Sequence, residues 1–198
     1  MTVKRTLLLV ALCAAASTGM VRYAHAEFQA RQPQPLEWVN AVPCCEQDLE
    51  RIRTAASMPV EWKYVLHGFV DTSLTGASVQ TAELYGCTER NDGTYYDCDI
   101  YVTQKFKRSA SRDELLGVLA HEVGHVAYYG YYRPGSIESE YLADRFAVDT
   151  LRALGINPRT MLTTLLRLSR EEVFSTPDAQ VQIRQRIQRM RELLDAKK

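Results

Sequence analysis

The stretch SRDELLGVLAHEVGHV, residues 111–126, followed by SIESEYLADRFAVDTLRALG, residues 136–155, decides how this chain is read. Ser111 and Glu114 have the spacing of a capping box, in which serine and glutamate each satisfy a backbone N–H of the first turn. Leu115, Leu116, Val118, Leu119, Val123 and Val126 then recur at helical spacing, so an amphipathic helix is expected from Ser111 onward. His121 and His125 stand four apart, on one face and one turn apart, so both imidazoles can reach one small ion. Glu122 follows the first histidine directly and projects beside that ion without having to ligate it. A second helix is expected from about Ser136 to Leu154, with Gly155 as its stop.

That second helix offers Glu140 and Asp144, again four apart on one face. Glu140 is the expected third ligand. Asp144 is expected to accept a hydrogen bond from the outer N–H of a ligand histidine, His121, and so fix its tautomer. Glu138 is a rival ligand, but it lies about 200° round the helix from Glu140 and cannot share its face. Two neutral imidazoles, one carboxylate and an open fourth position describe a catalytic zinc site, one ion per chain, with Glu122 as general base. Gly124 fits the close approach of another helix or of a bound peptide. Tyr128, Tyr129, Tyr131 and Tyr132 are oxyanion candidates, none of which the sequence singles out. His67 reads as a strand histidine with a local partner.

The 198 residues have room for one ordinary domain. The chain opens with Lys4 and Arg5, then an apolar run from Leu7 to Ala16, then the small-x-small triplet Ala24-His25-Ala26. This pattern predicts a signal peptide over 1–26, cut after Ala26, and a periplasmic or secreted product. The apolar run is shorter than the roughly 20 residues of a spanning helix, so no integral membrane span is expected. Cleavage removes three basic residues and no acid, which leaves a net charge of −3 and no basic footprint for a nucleic-acid partner. It also leaves only His67, His121 and His125, so two of the three remaining histidines sit in the motif.

Cys44, Cys45, Cys87 and Cys98 remain, an even count that suits disulfides in an exported chain. A hairpin turning at Asp92-Gly93 places Cys87 opposite Cys98 and leaves Cys44 and Cys45 to form a strained vicinal bridge or stay free. Cross pairing of Cys44 and Cys45 with Cys87 and Cys98 is the alternative, and both stay open. Residues 27–40 are expected to form an extended tail ahead of the body of a single domain over 27–198. A helix is expected over 46–56 and strands over 60–70, 77–87 and 95–103. Further helices start at Asn157-Pro158 and at Thr176-Pro177. The fold class is therefore α+β: a small β-sheet with a hairpin, then a helical set carrying the two site helices. The strand 98–104 is expected to offer an exposed edge on which an extended peptide pairs.

HEVGH, EYLADRFAVDTL and the Gly-x-Asn-Pro helix start, with DIYVTQKF ahead of them, resemble the gluzincin metalloproteases of the HtpX and CAAX-prenyl-protease type. The likeness covers about residues 80–195. It implies a zincin-like fold, zinc held by His121, His125 and Glu140, Glu122 as catalytic base and Asp144 in support. It also implies proteolysis of protein or peptide substrates, with envelope protein quality control as one setting. Two departures stand out. Thr176-Pro177 occupies the place where family members often carry His-Pro, and the segment with Cys87 and Cys98 looks like an insertion beside the substrate strand. The cytosolic ImmA/IrrE-type metalloproteases share the motif pair, but they do not match the export signal. The sequence thus predicts an exported zinc endopeptidase. A latent zinc-bearing binding or chaperone-like module and an amidase acting on cell-wall peptide are the alternatives.

Overall fold

A computed structural model describes residues 41–58, 66–71, 82–89, 96–128, 136–170 and 176–196. The expected leader over 1–26, the tail over 27–40, the Asp92-Gly93 turn and the loop over 129–135 lie outside the described residues, as does the first part of the strand expected over 60–70.

Strand β1 (Ala41–Pro43) precedes helix α1 (Glu46–Ala55), which is followed by β2 (Leu66–Asp71), β3 (Ala82–Glu89) and β4 (Tyr96–Thr103). These strands form one sheet in the order β1-β2-β4-β3, with β2 and β4 parallel and the other two pairs antiparallel. Helices α2 (Gln104–Ser109), α3 (Arg112–Ala127), α4 (Ile137–Ala153), α5 (Arg159–Leu168) and α6 (Pro177–Asp195) complete the chain. The expected α+β class holds. Strand β1 and helix α2 were not read from sequence. Helix α2 follows β4 without a break because the Thr103 hydroxyl accepts from the Phe106 N–H at 3.2 Å and caps it.

One expectation is corrected. The strand expected to expose an edge over 98–104 is interior, since β4 ends at Thr103 and lies between β2 and β3. Ile100, Tyr101 and Val102 are successive residues and all buried, so both faces of this strand are covered. The sheet edges are β1 and β3, and β3 is the strand that packs chiefly against α3.

The register places Cys87 opposite Cys98, with a bulge between Leu84 and Gly86. Cys98 is disulfide-bonded. Cys44 and Cys45 are bonded to each other at the start of α1, with Cys45 in the left-handed region at φ 67°. Cross pairing of the vicinal cysteines with the hairpin is therefore not what the fold adopts.

Helix α3 begins with the expected capping box: Glu114 N–H donates to Ser111 Oγ at 3.2 Å, and Ser111 N–H donates to Glu114 Oε2 at 2.8 Å. Beyond this turn its apolar face is not a stripe. Every residue from Leu116 to Gly124 is buried, which marks a central helix covered on all sides. Leu116, Leu119 and Val123 share a core with Leu49 and Ile52 of α1, Ile100 and Val102 of β4, Val148 and Leu151 of α4, Met161 and Leu165 of α5, and Ile183 and Met190 of α6. Each such side chain contributes on the order of 1.5–3 kcal/mol through removal from water.

The closest approach of α3 to α4 is at Gly124, where a Cβ would stand 2.8 Å from Ala143 Cα and 3.2 Å from the Ala143 carbonyl oxygen. Backbone cannot step aside there as a side chain can. At Gly117 the nearest atom is Met161 Sδ at 2.7 Å, the far part of a flexible side chain. Gly124→Ala should therefore destabilise the fold by about 1–3 kcal/mol through overpacking. Gly117→Ala should be neutral or stabilising, by up to about 1 kcal/mol from helix propensity. Urea midpoints of the two variants test this, and equal midpoints would remove the steric argument.

Candidate metal centre

The close crossing of α3 and α4 brings the two histidines of one helix over the first turns of the other. Ser136 starts α4 by accepting from the Ser139 N–H at 3.2 Å, so the chain turns inward just before Glu140. His121 Nε2 and His125 Nε2 lie 3.1 Å apart. Glu140 Oε2 is 3.3 Å from the first and Glu140 Oε1 is 3.4 Å from the second. One donor atom from each of the three residues falls within 4.8 Å of the others, so the group can hold a metal ion.

The donor spacing bears on what would fit. Four ligands held tetrahedrally at about 2.0–2.1 Å from an ion stand about 3.3–3.4 Å from one another. The two Nε2 atoms stand within a few tenths of an ångström of that edge, each faces one of the two Glu140 oxygens at a similar distance, and the donors are two imidazoles and one carboxylate. Zinc suits this donor set.

The remaining ring nitrogens are also engaged. His121 Nδ1 lies 2.9 Å from Asp144 Oδ1, and His125 Nδ1 lies 3.2 Å from Ser139 Oγ. A tautomer with its proton on Nδ1 of each ring would leave each Nε2 lone pair facing the shared position, as metal binding requires. Glu122 is buried on α3, 7 % exposed, and its charge reaches Arg186. Glu138 is exposed and takes no part in the group, while Tyr128 is exposed at the C-terminus of α3. Tyr129, Tyr131 and Tyr132 fall outside the described residues. His67 lies in β2 opposite Asp99, apart from the three-residue group.

Arg186 of α6 was missed by sequence reasoning. Its Nε and Nη2 donate to Asp144 Oδ2 and Oδ1 at 3.0 and 2.7 Å, and its Nη1 lies 2.7 Å from Glu140 Oε2. The last helix is rich in arginine, and Arg186 and Arg191 flank its apolar stripe of Ile183, Ile187, Met190 and Leu194 from opposite sides. The pattern alone does not choose between them; the packing of α6 on α4 turns Arg186 inward. Ser139 was likewise missed, since a serine beside a candidate ligand has many ordinary roles.

The electrostatics follow from this packing. Burial acts to lower the His121 pKa and Arg186 lowers it further, but hydrogen bonds to Asp144 and Glu140 outweigh both and raise it to about 10 in the metal-free site. Burial and the neighbouring His121 charge lower His125 to about 4. Burial opposes ionisation of Glu140 and Asp144, yet the Arg186 charge and His121 hold both well below the usual carboxylate range. Burial likewise opposes the Arg186 charge, and Asp144 and Glu140 more than restore it.

No protein-family model matches the chain, and no curated protein matches it in sequence. Among the described residues no helix is long and apolar enough to cross a membrane.

A pH prediction follows for the metal-free protein. His121 gains its partners on folding, so its contribution is complete below the unfolded value of 6.5 and is lost as pH rises through about 10. Wild-type protein should lose stability across that window relative to His121→Gln, as read from denaturant melts at several pH values. Parallel profiles for the two proteins would show that His121 is neutral in the metal-free fold.

Proposed function

We propose that this chain is an exported zinc-dependent endopeptidase of gluzincin type, with a zincin-like fold, acting on protein or peptide substrates in a periplasmic or secreted setting. The observation that carries the reading is the convergence of His121, His125 and Glu140, whose ligand atoms lie within 4.8 Å of one another, with 3.1 Å between the two Nε2 atoms and 3.3 and 3.4 Å from them to the two oxygens of Glu140. The resemblance to the HtpX and CAAX-prenyl-protease type, carried by the HEVGH and EYLAD stretches, points the same way. Export rests on the leader pattern of residues 1–26, and one setting the resemblance offers is envelope protein quality control.

His121, His125 and Glu140 would hold the ion. Zinc, when bound, would supply a Lewis acid for the attacking water and the substrate carbonyl. Glu122 follows His121 on a rigid, centrally buried helix, which keeps its carboxylate beside the reacting groups. It accepts the proton of the attacking water and delivers it to the departing amine. Asp144 orients His121 through Nδ1, and Ser139 does the same for His125. An extended substrate segment pairs with the outer edge of β3, the edge strand against α3.

Glu122→Gln should leave metal binding and folding intact and lower casein cleavage by at least about 100-fold, the scale of a positioned acid–base group. A chelator should abolish cleavage by the wild type, and added zinc should restore it. Undiminished cleavage by Glu122→Gln at full purity would defeat the mechanism.

A further inference from the structure

Three carboxylates and one guanidinium share the interior beside the candidate metal position, and the guanidinium is placed to do more than neutralise. All three Arg186 nitrogens are engaged, on two different acids. Its side chain is 13 % exposed, and those of Asp144 and Glu140 are 5 % and 19 % exposed. Asp144 is the acid that faces His121 Nδ1, and Glu140 is the third candidate ligand. One planar group therefore touches both the carboxylate that orients a histidine and the carboxylate that would meet the ion.

The consequences for Glu140 are specific. A glutamate has three side-chain torsions and two equivalent oxygens. Arg186 Nη1 holds Oε2 at 2.7 Å, while Oε1 faces His125 Nε2 at 3.4 Å. Fixing one oxygen fixes the plane of the carboxylate and so the direction of the other. The Nε and Nη2 pair on Asp144 is a fork-to-fork contact, which sets angle as well as distance. A lysine at 186 would bring the same charge as a compact point on a flexible stem, unable to hold both acids in one geometry.

We propose that Arg186 is a positioning residue of the metal centre, setting the orientation of Glu140 and Asp144 together so that the His121, His125 and Glu140 donors converge. This rests on the reading of those three residues as a metal site. A purely structural bridge between α6 and α4 would affect stability and leave the metal's surroundings alone, and that difference is measurable.

The test uses the mature chain as wild type, Arg186→Lys and Arg186→Gln. Each is checked for folding by circular dichroism, then titrated with zinc against a chromophoric chelator. Each is also loaded with cobalt(II), whose visible absorption reports ligand number and geometry. The expected result is that both variants fold, bind zinc about 10–100-fold more weakly, as loss of an outer partner does, and give altered cobalt spectra. With saturating zinc, kcat on a peptide substrate should fall while KM holds. Wild-type affinity within about twofold together with a wild-type cobalt spectrum in both variants would overturn the proposal. Unfolding of both variants would assign Arg186 to the fold and overturn it as well. Failure of the wild type itself to take up zinc or cobalt would instead sink the metal-site reading, and the proposal with it.

Discussion

The contact of Gly124 with Ala143 is the constraint on which the candidate site depends. The separation of α3 and α4 there leaves no room for a Cβ on α3. Helix axes usually stand 8–10 Å apart, with the value set by the side chains between them. Small residues at the crossing let the long side chains beside it, His125 and Asp144, and those a turn before it, His121 and Glu140, overlap at their tips rather than pass each other. The five-residue motif supplies the donors; the missing Cβ supplies their proximity.

A second constraint is electrostatic. Glu122, Asp144 and His121 are buried, and Glu140 nearly so. Isolated carboxylates in such surroundings would be neutral or would unfold the protein. Arg186 favours the ionised form of two of them, and the contacts of His121 with Asp144 and Glu140 favour its protonated form. The buried charges thus offset one another within the group itself.

Local rules made much of this legible in the sequence. The capping box at Ser111, the stop at Gly155 and the cap-then-proline start at Thr176 each mark a helix boundary through short-range chemistry, and the helices lie where these residues imply. The grouping of His121, His125 and Glu140 follows from spacing within two helices. What was hidden depends on long-range packing. The run DIYV is compatible with an edge or an interior strand, and only the parallel partner β2 makes it interior. Arg186 stands 42 residues from Asp144 along the chain, and no local pattern tells it from the other arginines of α6. The vicinal pairing of Cys44 with Cys45 was one of two open possibilities, because connectivity is a property of the folded chain.

The order of these parts along the polypeptide has its own consequence. The histidines come first, the acids of α4 next, and Arg186 follows 42 residues after Asp144. A chain still emerging from the ribosome carries both motif helices before the cation that offsets their charges. A product cut short ahead of α6 therefore lacks the guanidinium that bridges Asp144 and Glu140.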